Sequence, residues 1–550
     1  MQLQNNWWSS AVIYQIYPRS FADSNGDGIG DLPGILQKLD YVASLGVDAV
    51  WISPFFKSPM KDFGYDISDY RAVDPIFGTL EDFKDILQAA HDRDLKVLID
   101  QVWNHTSDQH PWFLESRESR DNPKADWYVW VDPKPDGTPP TNWLATFGGS
   151  AWTWEPRRQQ YYLHNFLESQ PDLNWYHPEV VEAILDTAKF WLDMGVDGFR
   201  LDVVNFFTYD RSLQDNPMRP PDVPRPAGAS PKDPFFSQIN LYNFCQPDTL
   251  TLLTPIRKLL DSYNATSLAE ISSAEDTLLI SSEYVKGKDR LHTAYNSSLM
   301  TDEPLTAQRV ALLIRRVEEL FADGVICWTA GTHDFPRLKS RWSKYQPSEE
   351  FLQDAFDHMF AALIVSLKGN CCIYQGDELG LTQADVPYEK MQDPFGIQGY
   401  PHVLGRDGSR TPMPWLKEAT YAGFTKAPEP WLPIPADHQQ QAVDVQEVDP
   451  NSLLNKYRRL IEWRKQQPAL NVGSLQLVET SDERLVGFTR NCDEQNLLCI
   501  FNLSPETVYQ DLSQFTPCQP ADELDFMDRQ YHDTLELPPF GVFFANLKSV

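Results

Sequence analysis

Four acidic residues lie at or just after the ends of short apolar segments, and two histidines lie near them in the sequence. These residues are Asp100, Asp202, Glu270, Asp334, His105 and His333. Carboxyl groups and neutral imidazoles that meet at one site can provide a nucleophile, a general acid and hydrogen bonds to hydroxyl groups, which is the chemistry of glycosidic bond cleavage. The sequence lacks a Ser-His-Asp arrangement, a phosphate-binding loop and a Cys/His zinc spacing, so it does not favour the reactions that those motifs support.

The segment Gly198–Asn205 shows how two of these groups would be held. Side chains alternate along a strand, so Arg200 and Asp202 would lie on the same face. Apolar residues at helical spacing precede the segment over 178–194, and Gly195 ends that helix. A carboxylate at the C-terminal end of a strand, beside a guanidinium that keeps it ionised, is a candidate nucleophile. The alternative is a structural Arg–Asp pair that closes a barrel.

Strands and helices alternate along most of the chain. Apolar segments that predict strands lie at 12–18, 49–52, 96–102, 198–205, 267–270, 293–296, 326–329 and 371–374. Two of them follow the same Gly-Val-Asp sequence after a helix, at residues 46–48 and 195–197, as repeated βα units would give. The sequence therefore predicts an α/β fold, a (β/α)8 TIM barrel.

Two long segments interrupt the alternation, and both follow predicted barrel strands. Residues 104–175 would form an inserted domain B after strand 3, and residues 379–435 an irregular insertion after strand 8. The catalytic barrel would then comprise residues 1–103 and 176–470. Short alternating runs predict a C-terminal antiparallel β-sandwich domain over 471–550.

The composition excludes several classes of partner. Lys and Arg number 47 against 78 Asp and Glu, which gives a net charge of −31 and argues against nucleic acid or an anionic membrane surface as a partner. The N-terminus has no signal-peptide pattern, and no apolar run is long enough to span a membrane. Seven scattered cysteines do not form a disulfide or zinc framework. We therefore expect a cytoplasmic enzyme.

A loop of alternating oxygen-bearing residues follows the first predicted strand. Its candidate ligands for one structural Ca²⁺, or Mg²⁺, are the side chains of Asp23, Asn25, Asp27 and Asp31 and the carbonyl of Ile29. The loop is not an EF-hand, because Gly34 stands at the position where that motif has its glutamate. A loop of Asx turns without a metal is the alternative interpretation.

Taken together, these segments resemble the α-amylase superfamily of glycoside hydrolases (glycoside hydrolase family 13), and within it the bacterial α-glucosidase and oligo-1,6-glucosidase group. The matching segments are Tyr65-Asp66, Asp100–His105, Gln170–Asn174, Gly198–Asn205, Glu270, His333-Asp334 and Gly405–Trp415. The resemblance covers nearly the whole chain. One departure is Thr332, where the group usually has an asparagine before His-Asp.

The resemblance implies a catalytic role for three of the four acids. Asp202 would attack the anomeric carbon, with Arg200 keeping it charged. Glu270 would protonate the leaving oxygen and later deprotonate water. Asp334 would bind the 2- and 3-hydroxyls of the glucose and stabilise the oxocarbenium-like state.

The resemblance also implies contacts with the substrate. His105 and His333 would bond hydroxyls of the same sugar, and Tyr65 would stack on it. Asp66 paired with Arg406 would close the pocket behind the non-reducing end, so that attack is exo.

Gln170 and Val203 complete the expected substrate-binding set. In the resembling enzymes a valine directly after the nucleophile tends to accompany cleavage of α-1,6 bonds, so Val203 leads us to expect measurable isomaltose cleavage. The alternative is that the loops of residues 206–240 and 379–405 determine the aglycone site.

The expected activity is that of an exo-acting retaining α-glucosidase that releases single glucose units from short α-glucosides, with transglucosylation as a further outcome. We expect a monomer or a dimer with a small α-glucoside substrate. A sucrose isomerase of the same superfamily is one alternative, but the Arg-Leu-Asp-Arg-Asp string usual in those enzymes is absent. A non-catalytic relative of transporter heavy subunits is another, and it would need a membrane span.

Overall fold

Eight parallel strands close into a barrel, as the sequence predicts. A computed structural model describes residues 6–226, 228–230, 232–515, 518–520 and 534–547. The barrel strands are β1 (Val12–Ile16), β2 (Ala49–Ile52), β3 (Lys96–Gln101), β4 (Gly198–Leu201), β5 (Thr266–Ile271), β6 (Thr293–Asn296), β7 (Val325–Thr329) and β8 (Asn370–Tyr374). Each strand pairs with its neighbours in chain order, and β8 pairs with β1. The prediction of a (β/α)8 barrel is confirmed.

Helices cover the outside of the barrel and lie between its strands. The α-helices are Leu32–Gln37, Leu39–Ser44, Leu80–His91, Pro111–Glu118, Pro178–Met194, Thr249–Ser262, Thr277–Val285, Ala307–Leu320, Leu338–Ser343, Glu350–Ser366, Pro394–Gly399, Ala436–Gln440, Val443–Val448, Leu453–Gln466 and Pro468–Val472. The helix before β4 buries Val180, Ile184 and Trp191 against the strands. It ends at Gly195, whose φ of 106° is a left-handed conformation that favours glycine.

Two apolar cores surround the strands. Ile13, Trp51, Leu98 and Leu268 belong to a cluster inside the barrel. A larger cluster fills the space between the outer faces of the strands and the helices. Strands buried on both faces read as continuous apolar runs, which explains why the barrel strands could be located in the sequence.

The segment between β3 and β4 contains a small antiparallel sheet. Its strands are Trp130–Val131, Trp152–Glu155 and Gln160–Leu163, with the last of these in the middle. A two-stranded pair, Phe56–Lys57 and Asp69–Val73, follows β2.

The C-terminal part of the chain is an antiparallel sheet domain, as expected. Its larger sheet consists of Ser474–Val478, Leu485–Asn491, Asn496–Asn502, Cys518–Pro520 and Val542–Leu547, and a two-stranded sheet pairs Val508–Asp511 with Thr534–Leu537. Leu498, Ile500, Leu535 and Phe543 form the core that the two sheets share. Within the described ranges, no helix combines the length and apolar character that crossing a membrane requires.

Candidate active site

The strand register brings the predicted acids to one level of the barrel. Asp100 on β3 lies opposite Arg200 on β4, and Glu270 on β5 lies opposite Tyr295 on β6. Asp202 follows β4 directly. Parallel strands of a barrel end at the same face, so side chains from four strands meet there.

Arg200 joins the acidic groups of this face. Its side chain is fully buried. Nη1 donates to Asp202 Oδ1 at 2.6 Å and to both carboxylate oxygens of Asp100, at 2.8 and 3.0 Å. Nη2 donates to Glu270 Oε2 and, at 2.7 Å, to the hydroxyl of Tyr295. One guanidinium thus holds the candidate nucleophile and the candidate acid in a single network.

Burial shifts the protonation of the two carboxyl groups. It raises the pKa of Asp202 to about 7, against the opposing effect of Arg200. It raises the pKa of Glu270 further, to about 8, and the charge of Asp202 adds to that increase. Glu270 therefore holds its proton to higher pH than Asp202 does, which is the order that a general acid and a nucleophile need.

Asp334 has a different set of neighbours. Its Oδ1 accepts hydrogen bonds from Arg410 Nη2 at 2.9 Å and from Arg406 Nη1 at 3.2 Å, and its Oδ2 lies 3.2 Å from His333 Nε2. Burial alone would raise the pKa of Asp334, but His333 and the two arginines outweigh it and hold the pKa below its ordinary value. Thr332, the departure noted in the sequence, has a defined role here because its hydroxyl accepts a hydrogen bond from the Asp334 backbone N–H at 3.2 Å.

Tyr65 and the two predicted histidines form a wall of the same pocket. The Tyr65 and His333 rings are stacked, with centroids 5.3 Å apart and planes 9° apart. His105 Nε2 lies 3.0 Å from the Tyr65 carbonyl oxygen and 3.2 Å from Gln170 Nε2. Burial lowers the pKa of His105 to about 4 and that of His333 well below its usual value, so both rings are neutral near pH 7.

The predicted pair of Asp66 with Arg406 is wrong. Arg406 Nη2 instead donates to Asp62 Oδ1 and to Asp393 Oδ1, each at 2.7 Å. Asp66 is fully buried and accepts hydrogen bonds from Ser58 Oγ at 2.8 Å and from two backbone N–H groups of its own loop, at 3.0 Å each. A carboxylate with three such donors holds the loop together and has no need of a cation.

Asp62 and Asp393 are therefore residues that the sequence interpretation missed. Asp62 also accepts a hydrogen bond from Gln170 Nε2 at 3.0 Å, so it links Arg406 to the wall of the pocket. Its position was a usable signal, because Asp62 lies only three residues before Tyr65 and could reach the same partner as Asp66. Asp393 comes from the irregular insertion and had no sequence signal.

Val203 lies directly after Asp202 in a left-handed conformation, with φ 36° and ψ 48°. This backbone region is unfavourable for a β-branched residue, so the turn is strained. The Val203 N–H donates to Glu270 Oε2 at 3.4 Å, and its side chain packs with Phe206 and Phe236 in an apolar cluster next to the acids.

The loop predicted to bind calcium is folded by its own hydrogen bonds. Asp23 Oδ1 accepts from the backbone N–H groups of Asn25 and Gly26, and Asp27 Oδ1 accepts from that of Ile29. Asp31 caps the following helix at the Gly34 N–H. Across the described ranges, no three His, Cys, Asp or Glu side chains are grouped closely enough to hold a metal ion. The side chains present do not by themselves form the cage of six to eight oxygens that Ca²⁺ takes, and calcium binding stays a prediction.

A (β/α)8 barrel with buried carboxyl groups at the C-terminal ends of its strands is an arrangement that suits glycoside hydrolysis. Residues 15–473 match the family described as "Alpha amylase, catalytic domain". The chain therefore belongs to the α-amylase family.

Relatives of the chain carry glucosidase names. It is 48% identical to a "Probable alpha-glucosidase" from Rhizobium meliloti (strain 1021), over all of this chain and 98% of that protein. It is 36% identical to an "Oligo-1,6-glucosidase" from Heyndrickxia coagulans, over 96% of each chain. Among solved structures, the "alpha-glucosyl transfer enzyme, XgtA" is similar, with a TM-score of 0.94, 50% identity and coverage of 99% of this chain and 100% of that one. The predicted membership of this enzyme group is confirmed.

Proposed function

We propose that the chain is an exo-acting α-glucosidase that releases single glucose units from short α-glucosides with retention of configuration. The observation that carries the proposal is the shared contact of Arg200 with Asp202 and Glu270. This contact keeps two carboxyl groups of different pKa beside each other, as a double-displacement reaction requires. The glucosidase names of the relatives support the substrate class.

In the first step, ionised Asp202 attacks the anomeric carbon and forms a glucosyl ester while the bond to the leaving oxygen breaks. Glu270 gives its proton to that oxygen. In the second step, water attacks the same carbon, gives a proton to Glu270 and releases Asp202. Asp334, which its cationic neighbours keep ionised, stabilises the positive charge that develops on the sugar ring in both steps.

The contact of Asp62 with Arg406 supports exo attack. Both residues are buried and joined at 2.7 Å, so the pair would present charged groups to the terminal glucose and close the pocket behind it. Asp62 and Arg406 would thus take the role that the resemblance implied for Asp66 and Arg406.

Proton NMR of the first sugar released from an aryl α-glucoside tests the mechanism. We expect α-glucose to appear first, with the β anomer growing only by mutarotation. Initial β-glucose would show inversion and contradict the proposal. Asp202→Asn should abolish turnover while the melting temperature stays near that of the parent, which separates loss of chemistry from loss of fold.

Glucosyl transfer is a second candidate activity, favoured by the similarity to the alpha-glucosyl transfer enzyme. In transfer, a sugar hydroxyl replaces water in the second step. Product analysis with maltose, isomaltose, sucrose and trehalose separates the alternatives. Free glucose alone indicates hydrolysis, new glucosides indicate transfer, and an isomer of sucrose without net hydrolysis indicates sucrose isomerisation.

A further inference from the structure

A cavity of about 360 Å³ lies outside the pocket that contains the acids. It is bounded by the strand Asp69–Val73, the start of the helix Pro111–Glu118 and the middle of the helix Pro178–Met194. None of the residues that line it belongs to the proposed catalytic set. Its volume falls within the range of about 300–1,000 Å³ that is typical of small-molecule sites.

Aromatic rings form one part of the cavity lining. Trp112 is half-buried, and its ring is held by Trp127, at a centroid distance of 5.0 Å and an angle of 70°, and by Tyr70, at 6.0 Å. Tyr70 is fixed in turn because its hydroxyl donates to the carbonyl oxygens of Val102 and His105, at 2.7 and 3.1 Å. Rigid aromatic faces of this kind give apolar contact to the C–H face of a ligand at a small entropic cost.

A buried histidine supplies a hydrogen-bond donor to the same cavity. His110 is only 4% exposed, and its Nδ1 accepts the backbone N–H of Trp112 at 3.1 Å. Burial and the nearby charge of Lys124 lower the pKa of His110 to about 3, so the ring is neutral and carries its proton on Nε2. No described residue accepts a hydrogen bond from that Nε2 or from the indole N–H of Trp112.

Charged groups complete the lining. Arg71 Nη2 donates to the carboxylate of Asp186, and the backbone N–H of Arg71 donates to Asp69 Oδ1 at 2.9 Å. Two carboxylates against one guanidinium make the site slightly acidic, so it disfavours anions. The described part of the chain groups no three metal-ligating side chains here, which disfavours a divalent cation as well.

Donors, acceptors and a fixed aromatic face without excess positive charge match a neutral molecule rich in hydroxyl groups. We propose that this cavity is a second carbohydrate site, which binds one glucosyl unit of an α-glucoside against Trp112. The identification of the ligand as a glucosyl unit rests on the proposed function. The existence of the site rests on the cavity and on the His110 and Trp112 donors, which no described residue engages and which are therefore available to a ligand.

Binding of maltose to the full-length Asp202→Asn protein tests the proposal, because this variant should bind the sugar without cleaving it. Tryptophan fluorescence followed over a wide range of maltose concentration should show two phases. Adding Trp112→Ala should remove one phase. Trp154→Ala is the matched control, since Trp154 is 41% exposed and lies outside the cavity, and it should keep both phases.

Asp69→Ala gives a second test that leaves Trp112 in place. Loss of one charged hydrogen-bond acceptor should weaken the corresponding phase about tenfold. In the otherwise unchanged enzyme, Trp112→Ala and Asp69→Ala should leave kcat/KM for an aryl α-glucoside within about twofold of the parent value, since neither residue contacts the acids.

A single phase in the Asp202→Asn protein, or a second phase that survives both cavity substitutions, would overturn the proposal. If near-UV circular dichroism shows that Trp112→Ala does not fold, Asp69→Ala decides. A parent enzyme that cleaves no α-glucoside would instead contradict the proposed function, and the number of binding phases remains a separate result.

Discussion

Truncating Asp62 and Asp66 separately should have opposite dominant effects, although the two residues lie four positions apart. Asp62 contacts Arg406 and Gln170, whereas Asp66, among the residues described, bonds to groups of its own loop. We expect Asp62→Ala to reduce activity far more than stability, and Asp66→Ala to reduce stability more than activity.

The expected loss of activity follows from the contacts of Asp62. A hydrogen bond to a charged group is worth about 1.5–3 kcal/mol, and each 1.4 kcal/mol corresponds to about tenfold in an equilibrium or rate ratio. If the Asp62 carboxylate binds the terminal glucose, Asp62→Ala should reduce kcat/KM about 10- to 100-fold. Arg406 keeps Asp393 and Asp334 as partners, so the free energy of unfolding should fall by only about 1 kcal/mol.

The expected loss of stability follows from the three hydrogen bonds that Asp66 accepts. At about 1 kcal/mol each, Asp66→Ala should lower the free energy of unfolding by about 3 kcal/mol at pH 5. Burial raises the pKa of Asp66 to about 6, above its unfolded value of 3.8. The stability that the Asp66 carboxyl contributes therefore falls as pH rises from about 4 through 6, and the loss caused by the substitution should be smaller at pH 8.

Steady-state kinetics on maltose and chemical denaturation at pH 5 and pH 8 measure both effects. An Asp62→Ala enzyme within threefold of the parent kcat/KM, together with an Asp66→Ala enzyme that is stable but inactive, would refute the assignment. That result would restore Asp66 as the residue that faces the substrate.

Three further predictions concern the acids, the metal loop and linkage. The pH profile of kcat/KM should rise as Asp202 loses its proton near pH 7 and fall as Glu270 loses its proton near pH 8, and Glu270→Gln should remove the alkaline limb on an activated aryl glucoside. If the Asp23–Asp31 loop binds Ca²⁺, metal analysis after dialysis should give one ion per chain and a chelator should lower Tm, whereas no metal and an unchanged Tm would leave only a turn. Val203→Thr should increase the ratio of maltose to isomaltose kcat/KM, and an unchanged ratio would mean that Val203 only packs.

The barrel could be predicted from the sequence because its signals are local. Each buried parallel strand is a short apolar run, and each is bounded by a helix or a glycine turn. Some breaks within helices were harder to predict from the sequence. The helices Leu32–Gln37 and Leu39–Ser44, for example, are separated at Lys38, whose φ of −105° and ψ of 6° interrupt the first hydrogen-bond ladder.

Contacts between distant loops could not be predicted in the same way. Asp62 and Arg406 are 344 residues apart, and the choice between Asp62 and Asp66 depends on how the loop turns between them. Nothing in the sequence around Val203 indicates a left-handed turn either, since a β-branched residue is unfavourable there. Such conformations depend on the surrounding tertiary structure, so sequence patterns do not reveal them.

The distribution of cations explains how one pocket gives its acids different protonation states. Asp334 lies against two arginines, Arg406 and Arg410, whose charges act against its burial and help hold its pKa below the ordinary value. Asp202 and Glu270 share one guanidinium with Asp100, so burial dominates for both. The ionised form of Asp202 then opposes ionisation of Glu270, which keeps a proton available for the leaving group. Replacing Arg200 would remove the only cation that Asp202 and Glu270 contact within the described residues, and would therefore disrupt the nucleophile and the acid together.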